Sequence, residues 1–140
     1  MATVSGVNYT KQTNTPADMV LPRDSHGRVR VMYDTYEASA VASGSTIQLF
    51  KIPVDARVLD FKIWHDALGS SSTLAFGDSG DVDRLHAATA SSSASIMVPL
   101  IAAIDTMAGY TYTAETVLSL TTAGASITGT IHVQLTYVVD

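Results

Sequence analysis

From Ile127 to Val139 the side chains sort without a break. Ile127, Ile131, Val133, Leu135, Tyr137 and Val139 share one side with Gly129, and Thr128, Thr130, His132, Gln134 and Thr136 share the other. A backbone that sends successive side chains to opposite faces is a β-strand, and helical geometry does not separate these residues in this way. The same rule gives a strand over Arg57 to His65, with Leu59, Phe61 and Ile63 expected on the dry side and Asp60 and Lys62 on the wet one. A strand that is dry on one face needs a second layer to cover it, so the chain is expected to build a sandwich.

Further strands are expected at Arg28 to about Glu37, where Val29, Val31 and Tyr33 alternate with Arg30, Met32 and Asp34, and at Thr46 to Ile52, closed by Pro53-Val54-Asp55. The Gly69-Ser70-Ser71-Ser72 turn introduces a fourth strand at Thr73 to Phe76. Val82, Leu85 and Ala88 recur at a spacing of three, which predicts a short helix over Asp81 to Ala88. Ala90 to Ser95 reads as a small-residue linker, and Ile96 to Ile101 as a strand that Pro99 confines to an edge. Glu115 to Thr121 pairs with the last strand across the Thr122-Ala123-Gly124-Ala125 turn. The expected fold is therefore all-β, a β-sandwich or jelly-roll-like single domain over residues 26–140 with at most one short helix. Residues 1–25, with Asn8, Gln12, Asn14, Pro16 and Pro22 and no sustained period, are expected to form an extended arm that orders against a neighbour.

At 140 residues the chain is long enough to bury a real core without staples, and it has no cysteine, which excludes disulfides, thiol catalysis and Cys-ligated zinc. A net charge of -5 with few charged residues argues against nucleic acid, whose phosphates call for a dense basic patch. Neither a secretory signal nor a membrane-spanning run is visible, since the longest apolar run, Ile96 to Ile104, is short and contains Pro99. Asp78, Asp81 and Asp83 place three carboxylates in one loop, but without EF-hand spacing, and are read as a solvated turn in preference to a Ca²⁺ site. His26, His65, His86 and His132 stand on separate elements at no metal-binding spacing, and no nucleophile elbow, phosphate loop or zinc-protease motif occurs. No cofactor, no metal and no catalytic activity are therefore expected. Arg23, His26, Arg28 and Arg30 concentrate positive charge where arm meets domain, and with Tyr9 of the arm they are candidate contacts for a partner surface. Trp64, Tyr110 and Tyr112 leave a second possibility open, a stacking platform for sugars, against the plainer reading that they pack in a core or interface.

Three segments carry a resemblance. Lys51-Ile52-Pro53 with Asp55 to Asp60, His65 to Leu74, and Gly77 to Thr89 are followed by a matching ending over Gly109 to Ile131. From Lys51 onward the chain resembles small β-rich head proteins of tailed bacteriophages, of the decoration or cement type. That resemblance implies a non-enzymatic virion protein on the capsid surface, partnered by the major capsid protein and self-associating, with a trimer favoured. The sugar-binding alternative corresponds to a head-fibre base or adhesin-type module.

Overall fold

The computed structural model describes residues 3–5, 7–20, 22, 27–99, 107 and 109–140. Within them the chain forms one short helix, α1 (Val7–Thr13), and eight strands: β1 (Arg30–Val41), β2 (Thr46–Ile52), β3 (Arg57–His65), β4 (Thr73–Gly77), β5 (His86–Ala90), β6 (Ser95–Met97), β7 (Thr116–Ala123) and β8 (Ile127–Val138). They make two four-stranded antiparallel sheets, ordered β1-β8-β3-β6 and β2-β7-β4-β5. β1 pairs with β8, β2 with β7, β3 with β6 and β4 with β5. That nesting is what results when one long hairpin with its tip between β4 and β5 is rolled up, so the body is a jelly-roll-like β-sandwich.

The expected inward set of β8 lies between the sheets, where Ile131, Val133 and Leu135 are fully buried. Phe61 of β3 meets Phe76 of β4 edge to face at 5.1 Å between ring centres, which fixes the contact between the two layers. Ile52, Ile63, Leu74, Leu118, Leu120 and Ile127 complete the centre. Buried hydroxyls satisfy the turns at the rim. Ser72 donates to the Gly69 carbonyl at 2.7 Å and bonds the Ser91 hydroxyl at 2.8 Å, while Thr122 donates to the Ala42 carbonyl at 3.0 Å. Each replaces a backbone partner that a sharp turn cannot supply.

Six expectations are corrected. β7 and β8 do not pair across the Thr122–Ala125 turn: the chain crosses between sheets there, so β7 lies between β2 and β4 and β8 between β1 and β3. No helix occupies residues 81–88; the chain turns and then enters β5, because His86 pairs opposite Phe76 and Leu85 is buried while Val82 is exposed. Tertiary pairing has overridden a three-residue spacing that only a lone helix would need. Helix α1 lies in the segment expected to be extended. Leu59 faces out, because the pairing with β8 slips between Val58 and Asp60 and the bulge transfers the inward position to Val58. β1 continues past Glu37 to Val41 across a second slip between Ala38 and Val41, so the strand outlasts the alternation that marks it in the sequence. Of the expected strand over 96–101, β6 covers Ser95–Met97, and residues 100–101 lie outside the described residues.

Candidate interaction surfaces

The outer face of the β1-β8-β3-β6 sheet is built by register. Thr35 of β1 lies opposite His132 of β8, His132 opposite Trp64 of β3, and Trp64 opposite Ile96 of β6, so one row crosses the whole sheet. The adjacent row places Tyr33 beside Gln134 and Lys62, and the next places Val31 beside Thr136 and Asp60. Val31 and Tyr33 are 61% and 62% exposed, Ile96 47% and Trp64 37%. The bulge adds Leu59 to this surface, and Val29 and Val98, just outside β1 and β6, are also exposed. Apolar side chains on both faces of one strand are what a strand covered on both sides requires. Here the described residues supply one cover, the second sheet.

The aromatic ring of Tyr33 is held in place. Its hydroxyl lies 2.7 Å from Nδ1 of His132, Thr35 Oγ1 lies 3.0 Å from the same nitrogen, and the Tyr33 and His132 rings stack at 6.2 Å. A side chain already fixed in solution loses little rotamer freedom on contact, which favours its use in recognition.

Of the expected partner contacts, Arg28 and Arg30 converge on one carboxylate. Asp140 accepts from the Arg28 backbone N–H at 2.9 Å, and its two oxygens lie 3.4 and 3.5 Å from the Arg28 and Arg30 guanidinium nitrogens. The Arg28 N–H first, and the guanidiniums after it, hold the Asp140 carboxyl below its ordinary range. The arginines thus share a tether at one end and remain open to solvent elsewhere. Tyr9 is exposed on α1, and Val4, Val7 and Met19 of the same segment are exposed as well. Arg23 and His26 lie outside the described residues.

The acidic loop is organised from within. Asp78 is almost fully buried, its Oδ1 accepts from the Gly80 and Asp81 N–H groups at 2.8 and 3.0 Å, and its Oδ2 lies 2.6 Å from Nε of Arg84. Burial pushes the Asp78 carboxyl up, but Arg84 and the two N–H groups outweigh it and hold the carboxyl below its usual range. Arg84 in turn lies over the Tyr110 ring at 4.2 Å. Both Asp78 oxygens are therefore committed to protein donors, and among the described residues no group of three His, Cys, Asp or Glu is placed to hold a metal. His65 and His86 are buried between the sheets, each with Nδ1 2.7 Å from the carbonyl of the following residue, whereas His132 is on the outer face. Trp64, Tyr110 and Tyr112 do not form a common platform: Trp64 is on the outer face of the first sheet, and Tyr112 is buried with Tyr110 edge-on to it at 4.9 Å.

The sequence matches no family description and no curated protein. The fold does have counterparts. A chain from the cyanophage Pam1 capsid asymmetric unit is similar with a TM-score of 0.71 and 22% identity, over 91% of this chain and 97% of that one. The fold is one that phage capsids carry. A chain from the capsid of Ralstonia phage GP4 is similar at TM-score 0.64 and 20% identity, covering 81% of this chain and 86% of its own. A third, from the acid-stable capsid of Helicobacter pylori bacteriophage KHP30, is similar at TM-score 0.58 and 11% identity, over 79% and 86% of the two chains. No helix among the described residues is long and apolar enough to cross a membrane.

Proposed function

We propose that this chain is a structural, non-enzymatic virion protein of a bacteriophage that decorates the capsid exterior and cements the shell. The observation that carries this reading is the likeness of nearly the whole fold to a chain of a phage capsid, over 91% of this sequence. Residues 1–30 are assigned as the arm that engages the major capsid protein, with Tyr9, Arg23, His26, Arg28 and Arg30 as contacts. Two features support the arm. Val4, Val7, Tyr9 and Met19 are exposed apolar side chains that the β-body leaves uncovered, and association that hides them gains roughly 25 cal/mol per Å² buried. Arg28 and Arg30 present a planar, multi-donor charge to acidic groups or carbonyls of the shell. Cementing follows by linkage, because a protein that binds assembled shell better than free subunits lowers the free energy of the shell.

The test is co-sedimentation of purified protein with undecorated phage particles, followed by heating. Bound protein that raises the temperature of genome release supports the reading, and loss of binding on removing residues 1–22 supports the arm. Protein that stays in the supernatant at saturating concentration overturns the function.

A further inference from the structure

We infer that the groove on the outer face of the β2-β7-β4-β5 sheet, between β2, β7 and the 78–82 loop, is a binding site for a neutral sugar. This goes beyond the decoration reading, which assigns the arm to the shell and calls for no ligand on the second sheet.

The groove is built by register and by one glycine. Val117, Ser119 and Thr121 point outward from β7, because Leu118, Leu120 and Thr122, which alternate with them, are fully buried. On β2, Thr46 and Gln48 stand opposite Thr121 and Ser119, and on β4 Gly77 stands opposite Ser119 from the other side. A methyl group on Gly77 would overlap the Asp81 carbonyl and the Val82 backbone, so the missing side chain is what lets the loop fold back over the sheet. Asp78 pins the loop there through the Gly80 and Asp81 N–H groups and Arg84. The enclosed volume is about 300 Å³, at the lower end of the roughly 300–1,000 Å³ that ligand sites occupy. Under the loop Ser119, an outward residue, is only 7% exposed.

The lining selects the ligand. Thr46, Gln48, Ser79, Ser119 and Thr121 all border the groove, and none of these five side chains is hydrogen-bonded to another described residue. A buried hydroxyl without a protein partner, as at Ser119, has to be satisfied from the groove itself. Four hydroxyls and one amide offer donors and acceptors together, which is what a polyhydroxylated ring presents in return. The one carboxylate, Asp78, has both oxygens committed to protein donors, and no cation lines the groove, so neither a metal ion nor an anion is matched. A wholly apolar ligand would strip water from the hydroxyls and leave them unpaired. Val82 and Val117, 50% and 37% exposed, supply apolar contact for the C–H face of a sugar ring. Because the loop is pinned before any ligand arrives, little ordering is left for binding to oppose.

Heteronuclear NMR titration of the full chain tests this, with glucose, galactose, mannose, N-acetylglucosamine and their neutral disaccharides, and with glucuronate and an uncharged extended peptide for comparison. Titrations run to ~50 mM, since a ligand of about a dozen non-hydrogen atoms is held with a dissociation constant on the order of 1 mM. At least one neutral sugar is expected to shift the backbone amides of Ser79, Ser119 and Thr121 and the side-chain amide of Gln48 to saturation. Ser119→Ala removes the buried hydroxyl, and Gln48→Leu acts at an exposed position where folding is not at stake; each is expected to weaken binding ~5-fold. Trp64→Ala, on the other sheet, is expected to leave binding unchanged. Tighter binding of disaccharides assigns a polymeric glycan and equal binding a free sugar, and both support the site. Absence of saturable shifts with every neutral sugar, binding of glucuronate or the peptide alone, shifts centred on Trp64, or affinity indifferent to both groove variants overturns the inference. Particle binding is scored separately, so the decoration reading can fail while the sugar site stands, and the reverse.

Discussion

Replacing Arg84 with methionine isolates the electrostatic work of the acidic loop. The substitution keeps most of the apolar stem and removes only the cation, leaving Asp78 with a side chain 5% exposed and two N–H donors from Gly80 and Asp81. Breaking a buried ion pair by deleting one member costs about 3–5 kcal/mol, because the other charge remains in a poorly polarisable surrounding. The two surviving N–H bonds and the nearness of solvent to Arg84, whose side chain is 17% exposed, place the expected loss near the lower end, about 3 kcal/mol. For a chain of 140 residues the unfolding entropy near the midpoint is roughly 0.3 kcal/mol/K, so the thermal midpoint falls by about 10 °C.

The pH dependence gives the sharper check. In the wild type the Asp78 carboxyl is held below its unfolded range, so its contribution is complete above about pH 4 and is lost as pH falls further. In Arg84→Met the Gly80 and Asp81 N–H groups still oppose burial but the cation no longer does, so the folded carboxyl is expected to titrate higher than in the wild type. Its penalty is then full at neutral pH and relieved on protonation. Urea unfolding followed by circular dichroism is thus expected to show a wide gap between the two proteins near pH 7 and a narrower one near pH 4.5. Asp78→Asn added to Arg84→Met is expected to recover at least half of the loss, since an amide oxygen still accepts both N–H groups. A loss under ~1 kcal/mol near pH 7, or a gap that widens on acidification, refutes the reasoning.

Burial depresses the His86 imidazole, so the unfolded chain binds its proton more strongly and stability is expected to decline as pH falls below about 6.5; His86→Gln should flatten urea midpoints between pH 7.5 and 5. Leu59→Lys is expected to change stability by less than ~1 kcal/mol, while Ile63→Lys on the same strand should prevent folding, and the contrast in soluble yield and thermal midpoint checks the bulge. Gly124→Ala is expected to cost upwards of ~2 kcal/mol by urea unfolding, because the backbone there is left-handed at φ +84° and the new methyl would overlap the Ser71 carbonyl.

What the sequence made legible was period. Strand β8 could be read directly because its inward side is apolar and its outward side polar along nearly its full length, so face and period coincide. β3 shows where that reading stops. The alternation from Leu59 to Ile63 is unbroken in the sequence, yet the slip opposite β8 lies between Val58 and Asp60, and a slip belongs to two strands together and to neither alone. The same holds for β5, whose identity depends on Phe76 standing opposite His86, and for Arg28, whose partner Asp140 is 112 residues away.

The interaction face was a different kind of omission, because its signal was present. Val31 and Tyr33 alternate with Met32 and Tyr36, so β1 is apolar on both sides. A single sandwich buries one side of a strand, and Met32 and Tyr36 pack against the core while Val31 and Tyr33 remain in water. Period alone says that two faces exist, and only the count of covering layers says that one is left over. In a two-layer body with β1 at an edge and no third layer among the described residues, a strand apolar on both faces is a statement about something beyond that sandwich.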